Sequence, residues 1–363
     1  MNRVLMCKLA VCVFAAILFA TPSWAVHPDT KTGIESLKKR IEALEKEIGE
    51  PEEEFSIEVV GKKITFSGLV ELEAGFESTG DEDASDLALA TAQFGAEVTF
   101  NDSASARIVL LHEEGETEPV EVDEAGIELV CPRKFGTIVP SVEVGKLYVP
   151  FGNYNSSFIS DPLTLELGET NNTVLLADMN GDLISLSFVV FSGETDEAGD
   201  DDTIDTLVAA VELTPAEGLA FGASYMSDLA ESDAELVSDE DLYTDGVAGF
   251  SLYASIAYGP LGFDAEYLGA LDDFEPDVIA AGEDLTGENP AAWNLELSWA
   301  PAEQWHLAVR YEEARDYKDD LTRYGGVVSY GLYENTVIAL EYLHGDADGG
   351  DSDTVTAQLA FEF

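Results

Sequence analysis

Beyond its first 25 residues the chain has almost no cysteine: Cys7 and Cys12 fall within that stretch and only Cys131 follows it. An internal disulfide is thereby excluded. The neighbours of Cys131 place it on an outward-facing strand position, where a thiol acts as a small hydrophobe. Basic residues are nearly as scarce. Lysine and arginine together number 17 against 73 acidic residues, and between Phe135 and Val309 the only basic residue is Lys146. Such a surface cannot track phosphates, so nucleic acid is excluded as a partner. The histidines are His27, His112, His306 and His344, with no pair at metal-ligand spacing on one strand face. His306 beside Arg310 and Glu312 comes nearest to a catalytic set, and polar residues facing a lumen account for it without chemistry. No catalytic residue and no cofactor are expected. After the first 25 residues no run approaches 18 apolar residues, so a transmembrane helix is not expected either.

What the chain does have is aromatic residues, 13 Tyr, 18 Phe and 4 Trp, beside a formal net charge of −56. A disordered acidic protein would not carry so many rings. The charge must therefore be segregated from apolar surface. Residues 1–25 read as a signal peptide: Arg3 and Lys8 are followed by an apolar run over 11–20 and a small-x-small cleavage site at Ser23-Trp24-Ala25. That run is shorter than the ~20 residues of a membrane span. Residues 26–54 read as a periplasmic coiled-coil segment and hinge. Ile34, Leu37, Ile41, Leu44 and Ile48 form an a/d seam, and Pro51 within an acidic run breaks the helix. About two heptads are too short to be stable alone in water. The seam needs partner copies, making a homo-oligomer through it an expected assembly, or it lies as a single amphipathic helix on a neighbouring surface.

From residue 55 to 363 the period changes to two. Trp293, Leu295, Leu297 and Trp299 share one face while Asn294, Glu296 and Ser298 share the other. Sixteen such stretches are readable, at about 62–78, 87–101, 105–115, 121–131, 139–149, 172–180, 183–193, 204–214, 218–228, 247–259, 261–273, 291–300, 304–316, 322–333, 336–346 and 353–363. Their connections largely alternate short and long. That asymmetry belongs to outer-membrane barrels, with short periplasmic turns and longer outer loops. A soluble β-sandwich also alternates. The barrel is favoured by aromatics at both ends of the apolar faces and by carboxylates such as Glu71, Glu73, Glu97, Glu128, Asp264, Glu266 and Glu341 on the polar faces, which a wet lumen would hold more easily than a dry core. The expected fold is all-β: a transmembrane antiparallel β-barrel of about 16 strands, range 12–18, in the bacterial outer membrane, with lipid and lipopolysaccharide around it.

Two kinds of connection stand out. Residues 80–86, 196–202 and 345–353 are rich in Asp, Glu and Gly and read as long outer loops. They could take Ca²⁺ or Mg²⁺ through oxygens, but none keeps an ordered ligand spacing, and solvated loops are the simpler expectation. The connection over 149–171 is different. Phe151, Tyr154, Phe158, Ile159, Leu163 and Leu165 do not belong in water. Folding into the lumen as a constriction would bury them; packing against a neighbouring protomer is the alternative. The residues expected to line the pore or meet solute are Arg107, Arg310 and Arg323, the chief basic groups, with Glu296, Glu312, Asp161 and Glu166.

Three segments carry a family resemblance: 64–76 (ITFSGLVELEAGF), 145–154 (GKLYVPFGNY) and 160–170 (SDPLTLELGET). With the short heptad segment, they resemble the LbtU-type siderophore porins. The resemblance implies an outer-membrane barrel for ferric-siderophore uptake without TonB coupling. Length agrees, since a coupled receptor needs a plugged barrel of about 22 strands. The scarcity of basic lumen residues disfavours anionic solutes, so an anionic ferric complex would have to bind around the arginines. A general cation-selective porin is the nearest alternative. A structural envelope protein tethered through its coiled coil is the rival from another class.

Overall fold

The computed structural model describes residues 56–363 except 60–61, 81, 115–119, 194, 196–202, 238–242, 244, 276–287 and 348. The expected signal peptide, the heptad seam and the acidic run at 196–202 lie outside the described residues. Among the described residues, seventeen strands form one antiparallel sheet. They are β1 (Ser56–Val59), β2 (Lys62–Thr79), β3 (Glu82–Asn101), β4 (Ala104–Glu113), β5 (Glu121–Val130), β6 (Val139–Tyr148), β7 (Asn171–Asn180), β8 (Ile184–Phe191) and β9 (Thr206–Ala216). There follow β10 (Leu219–Met226), β11 (Gly249–Tyr258), β12 (Leu261–Ala270), β13 (Ala291–Ala302), β14 (Trp305–Arg315), β15 (Thr322–Tyr333), β16 (Thr336–Ala347) and β17 (Gly350–Glu362).

Each strand from β2 onward pairs with its neighbours in sequence, and β17 returns to β2 with Glu362 opposite Leu69 and Ser352 opposite Thr79. Strands β2 to β17 thus close into a sixteen-strand barrel. Closure satisfies every ladder, which is what allows a sheet to cross hydrocarbon. The short β1 pairs with the stretch of β2 that β17 does not reach, Val59 opposite Lys62 and Ser56 opposite Thr65. Alternation along the sequence did not suggest it, because four residues are too few to display a period.

The two faces separate as the sequence reading requires. On β13, Leu295, Leu297 and Trp299 are exposed while Asn294 and Glu296 are buried; on β14, Val309 and Tyr311 are exposed while Ala308, Arg310 and Glu312 are buried. Exposed large apolar residues occur on strands all around the barrel, from Leu72 and Ile108 to Leu340 and Leu359. A soluble protein could not present such a surface; an outer-membrane barrel presents it to lipid. Tyr258 and Tyr333, both strongly exposed, flank the tight turns at 259–260 and 334–335, the interfacial place for tyrosine.

Three local expectations change. The acidic runs at 80–86 and 345–353 are mostly hairpin, not long loop: Thr79 stands opposite Glu82 and Ala347 opposite Gly350. Strand pairing satisfies their backbone, and carboxylates on a projecting ribbon remain accessible to water. Pro215 and Pro301, which fall between the readable stretches 204–214 and 218–228 and between 291–300 and 304–316, lie within the last residues of β9 and β13, next to register shifts, where a missing N–H does least harm. Cys131 lies just beyond β5 and is half-buried. The strand ends that border the long connections at 149–170, 192–205, 227–248 and 271–290 lie at one end of the barrel, opposite the tight turns at 102–103, 217–218, 259–260, 303–304 and 334–335.

Candidate functional site: the constriction loop and the lumen

The connection between β6 and β7 runs inside the barrel. Phe151, Tyr154, Phe158, Ile159, Leu163 and Leu167 are buried, and a short helix, α1 (Leu163–Gly168), packs on β12, β13 and β14. The expectation of a lumenal constriction is met. Leu163 and Leu167, one helical turn apart, are both fully buried, so the helix exists to place its apolar stripe against the wall. Most of the loop before α1 has no regular secondary structure, so its backbone N–H groups need partners from elsewhere.

Those partners are glutamates of one wall, on β12, β13, β14 and β16. On β12, Glu266 accepts from the N–H groups of Asn153 at 2.6 Å and Tyr154 at 2.9 Å. Thr164 and Ser251 donate their hydroxyls to the same carboxylate. On β13, Glu296 accepts from the Ser157 N–H and the Ser156 hydroxyl, both at 2.8 Å. On β14, Glu312 accepts from the Leu163 N–H at 2.8 Å, at the first turn of α1, where a carboxylate is favoured by the helix dipole. On β16, Glu341 accepts from the N–H groups of Ile159 and Ser160. Buried carboxylates are costly without donors, and unpaired N–H groups are costly without acceptors. Wall and loop therefore satisfy each other. Tyr154 is held at φ 54, and the neighbouring Gly152 at φ 87; positive φ at a bulky residue is rare, and the paired N–H bonds to Glu266 hold it there.

Two arginines bind the same ladder to loop carbonyls. Arg310 reaches Ser160 O at 2.9 Å, Ser160 Oγ at 2.7 Å and Glu312 at 3.1 Å, and stacks over the Phe158 ring with its guanidinium carbon 4.4 Å from the centroid. Arg323 joins Glu312 at 2.7 Å, Glu166 at 2.9 Å and the Asp161 carbonyl at 2.9 Å. Six of the seven expected pore residues, Arg310, Arg323, Glu296, Glu312, Asp161 and Glu166, therefore gather at this latch. Their surroundings differ from the wet lumen expected for the polar faces: the side chains of Arg310 and Glu312 are 0% exposed. Glu266 and Glu341 were legible as inward carboxylates; their role as loop anchors was not.

Arg107 stands apart on β4. It pairs with Glu124 at 2.9 Å and Glu143 at 3.2 Å, and 40% of its side chain is exposed. Above the latch, Phe151, Tyr154, Leu163 and Leu167 share an apolar cluster with Leu229, Leu236, Tyr243, Val247, Phe274 and Tyr317. Described residues on the connections after β10, β12 and β14, among them Leu229, Tyr243, Phe274 and Tyr317, thus contribute to a core inside the barrel mouth.

No family model matches the chain. Among curated proteins it is similar to a UPF0422 protein of Coxiella burnetii, 26% identical over 311 residues, covering 78% of this chain and 64% of that protein. A UPF0422 protein of Legionella pneumophila strain Paris is 26% identical over 239 residues, covering 57% of this chain and 43% of that one. The chain spans less than two-thirds of the length of these relatives. Among solved structures it is similar to OmpF of Salmonella typhi in complex with daunomycin, at 14% identity and a TM-score of 0.64, covering 85% of this chain and 100% of that one. OmpT of Vibrio cholerae with its L8 loop deleted matches at 16% identity and a TM-score of 0.58, covering 83% and 99%. The fold is that of the porin-type outer-membrane barrels.

Proposed function

We propose that this protein is a passive outer-membrane channel that admits small solutes past a latched constriction loop, without TonB coupling. The observation that carries the reading is the loop itself, folded into the lumen and fixed by Glu266, Glu296, Glu312 and Glu341. Conductance in a planar bilayer is the test: discrete steps in KCl support the channel, and a silent, correctly folded barrel refutes it.

Selectivity should favour cations. Glu73, Glu97 and Glu128 lie on inward positions with access to water, whereas Arg310 is sealed beneath the loop and Arg107 already has two carboxylates beside it. Charge of one sign along a pore favours the opposite ion. The reversal potential in a KCl gradient is expected to have the sign of potassium preference; chloride preference would contradict the inward assignment.

The narrower reading, uptake of a ferric siderophore, is supported by the resemblance to LbtU-type porins. Of the three arginines expected to meet an anionic complex, Arg107 has the most exposed side chain. Arg107→Ala is expected to lower ferric-siderophore uptake by cells while leaving KCl conductance nearly unchanged. Unchanged uptake would favour the general cation-selective porin.

A further inference from the structure

Beneath the loop, toward the tight-turn end of the barrel, lies a cavity of about 460 Å³. Its roof is the underside of the loop, at Asn153, Asn155, Ser156 and Ser157, and its walls come from β9 to β14 and their tight turns, with Asp182 from the turn between β7 and β8. It shares the loop residues Asn153, Ser156 and Ser157 with the latch, but its lining contains none of the latch glutamates and neither Arg310 nor Arg107. The volume falls in the range of small-molecule sites.

The lining has charge of one sign. It contains the carboxylates of Asp182, Glu212, Glu217 and Asp264, with His306 as the only other titratable group besides Tyr253, and no lysine or arginine among the described residues. Two of the carboxylates are held in place. Glu212 accepts the Tyr253 hydroxyl at 2.6 Å, and Asp264 accepts the Ser255 hydroxyl at 2.6 Å and the Asn155 amide at 3.4 Å. Each carboxylate has about four acceptor sites, so these bonds orient the group without exhausting it. The Tyr253 ring lies against Gly222, where any Cβ would overlap ring atoms. Glycine there lets the ring lie against the wall while its hydroxyl is tied to Glu212. A cation can be bound by carboxylates, by a ring face and by amide and hydroxyl oxygens together.

We infer that this cavity is a binding site for a small organic cation of the amine class, entered from the tight-turn end of the lumen. An anion of the same size would meet only like charge. A neutral polyol would meet acceptors but forgo the charge-assisted contacts that distinguish this lining. The inference deepens the channel reading by naming a solute class, and rests on that reading for its biological role but not for binding itself.

The experiment is titration calorimetry of the full-length protein refolded in detergent, with 1,4-diaminobutane as the probe and 1,4-butanediol as its uncharged match. Saturable binding of the diamine, absent for the diol and weakened by added salt, is expected. Glu212→Gln combined with Asp264→Asn should weaken it by roughly tenfold or more, the size of lost charge-assisted contacts. If that pair fails to refold, Glu212→Gln alone, isosteric and still able to accept the Tyr253 hydroxyl, should weaken binding several-fold. No saturable diamine binding, equal binding of the diol, or unchanged binding in a folded variant overturns the inference. Bilayer recordings on the same preparation separate the two readings: diamine binding without KCl conductance refutes the channel and keeps the pocket, while conductance without diamine binding does the reverse.

Discussion

Replacing Arg310 with methionine is expected to destabilise the barrel and widen its pore together. The guanidinium is fully buried, is paired with Glu312, and bonds Ser160 through both carbonyl and hydroxyl. Removing one partner of a buried ion pair typically costs about 3–5 kcal/mol, because the remaining charge stays buried. Here Arg323 still reaches Glu312 at 2.7 Å, which places the expected loss near the lower end of that range. The second effect is the more diagnostic. Ser160 would lose its carbonyl and hydroxyl ties to the wall in the middle of the loop and keep only the bond from its N–H to Glu341. Single-channel conductance should rise, and liposomes carrying the variant should swell in larger sugars than those carrying the parent. A folded variant with the parent conductance and size limit would mean that the loop is held without this contact.

Leu297→Arg tests the outer face. Leu297 is 52% exposed on β13, and an arginine facing lipid near the midplane costs roughly 2–4 kcal/mol in outer-membrane barrels. The matched change is Gln358→Arg on β17, which faces the lumen and donates to Glu73 at 2.9 Å; there a guanidinium replaces an amide beside an existing carboxylate. Unfolding midpoints in urea should separate the two variants clearly. Equal damage would mean that lumen and lipid faces have been exchanged. Glu296 is unsuitable as the lumenal comparison, although it neighbours Leu297, because it anchors Ser156 and Ser157 and stands opposite Arg310 in register.

What the sequence by itself determined was the barrel wall. Alternation is a property of neighbouring residues: each of β2 to β17 contrasts a lipid face with a lumen face, so the sixteen stretches could be read one at a time, without knowing their partners. The apolar character of the loop over 149–171 was equally local, and it was enough to place those residues out of water. Tertiary structure alone decided what the inward carboxylates do. Glu266 meets Asn153 across 113 residues, and Glu341 meets Ile159 across 182. A glutamate on a strand's polar face looks the same in sequence whether water or a loop backbone covers it, because desolvation depends on a segment that arrives from elsewhere. The same distance dependence explains the burial of Arg310 and Glu312 beneath the loop, the largely buried α1, and the cavity below the loop: each arises between the wall and the loop, and neither segment carries it alone.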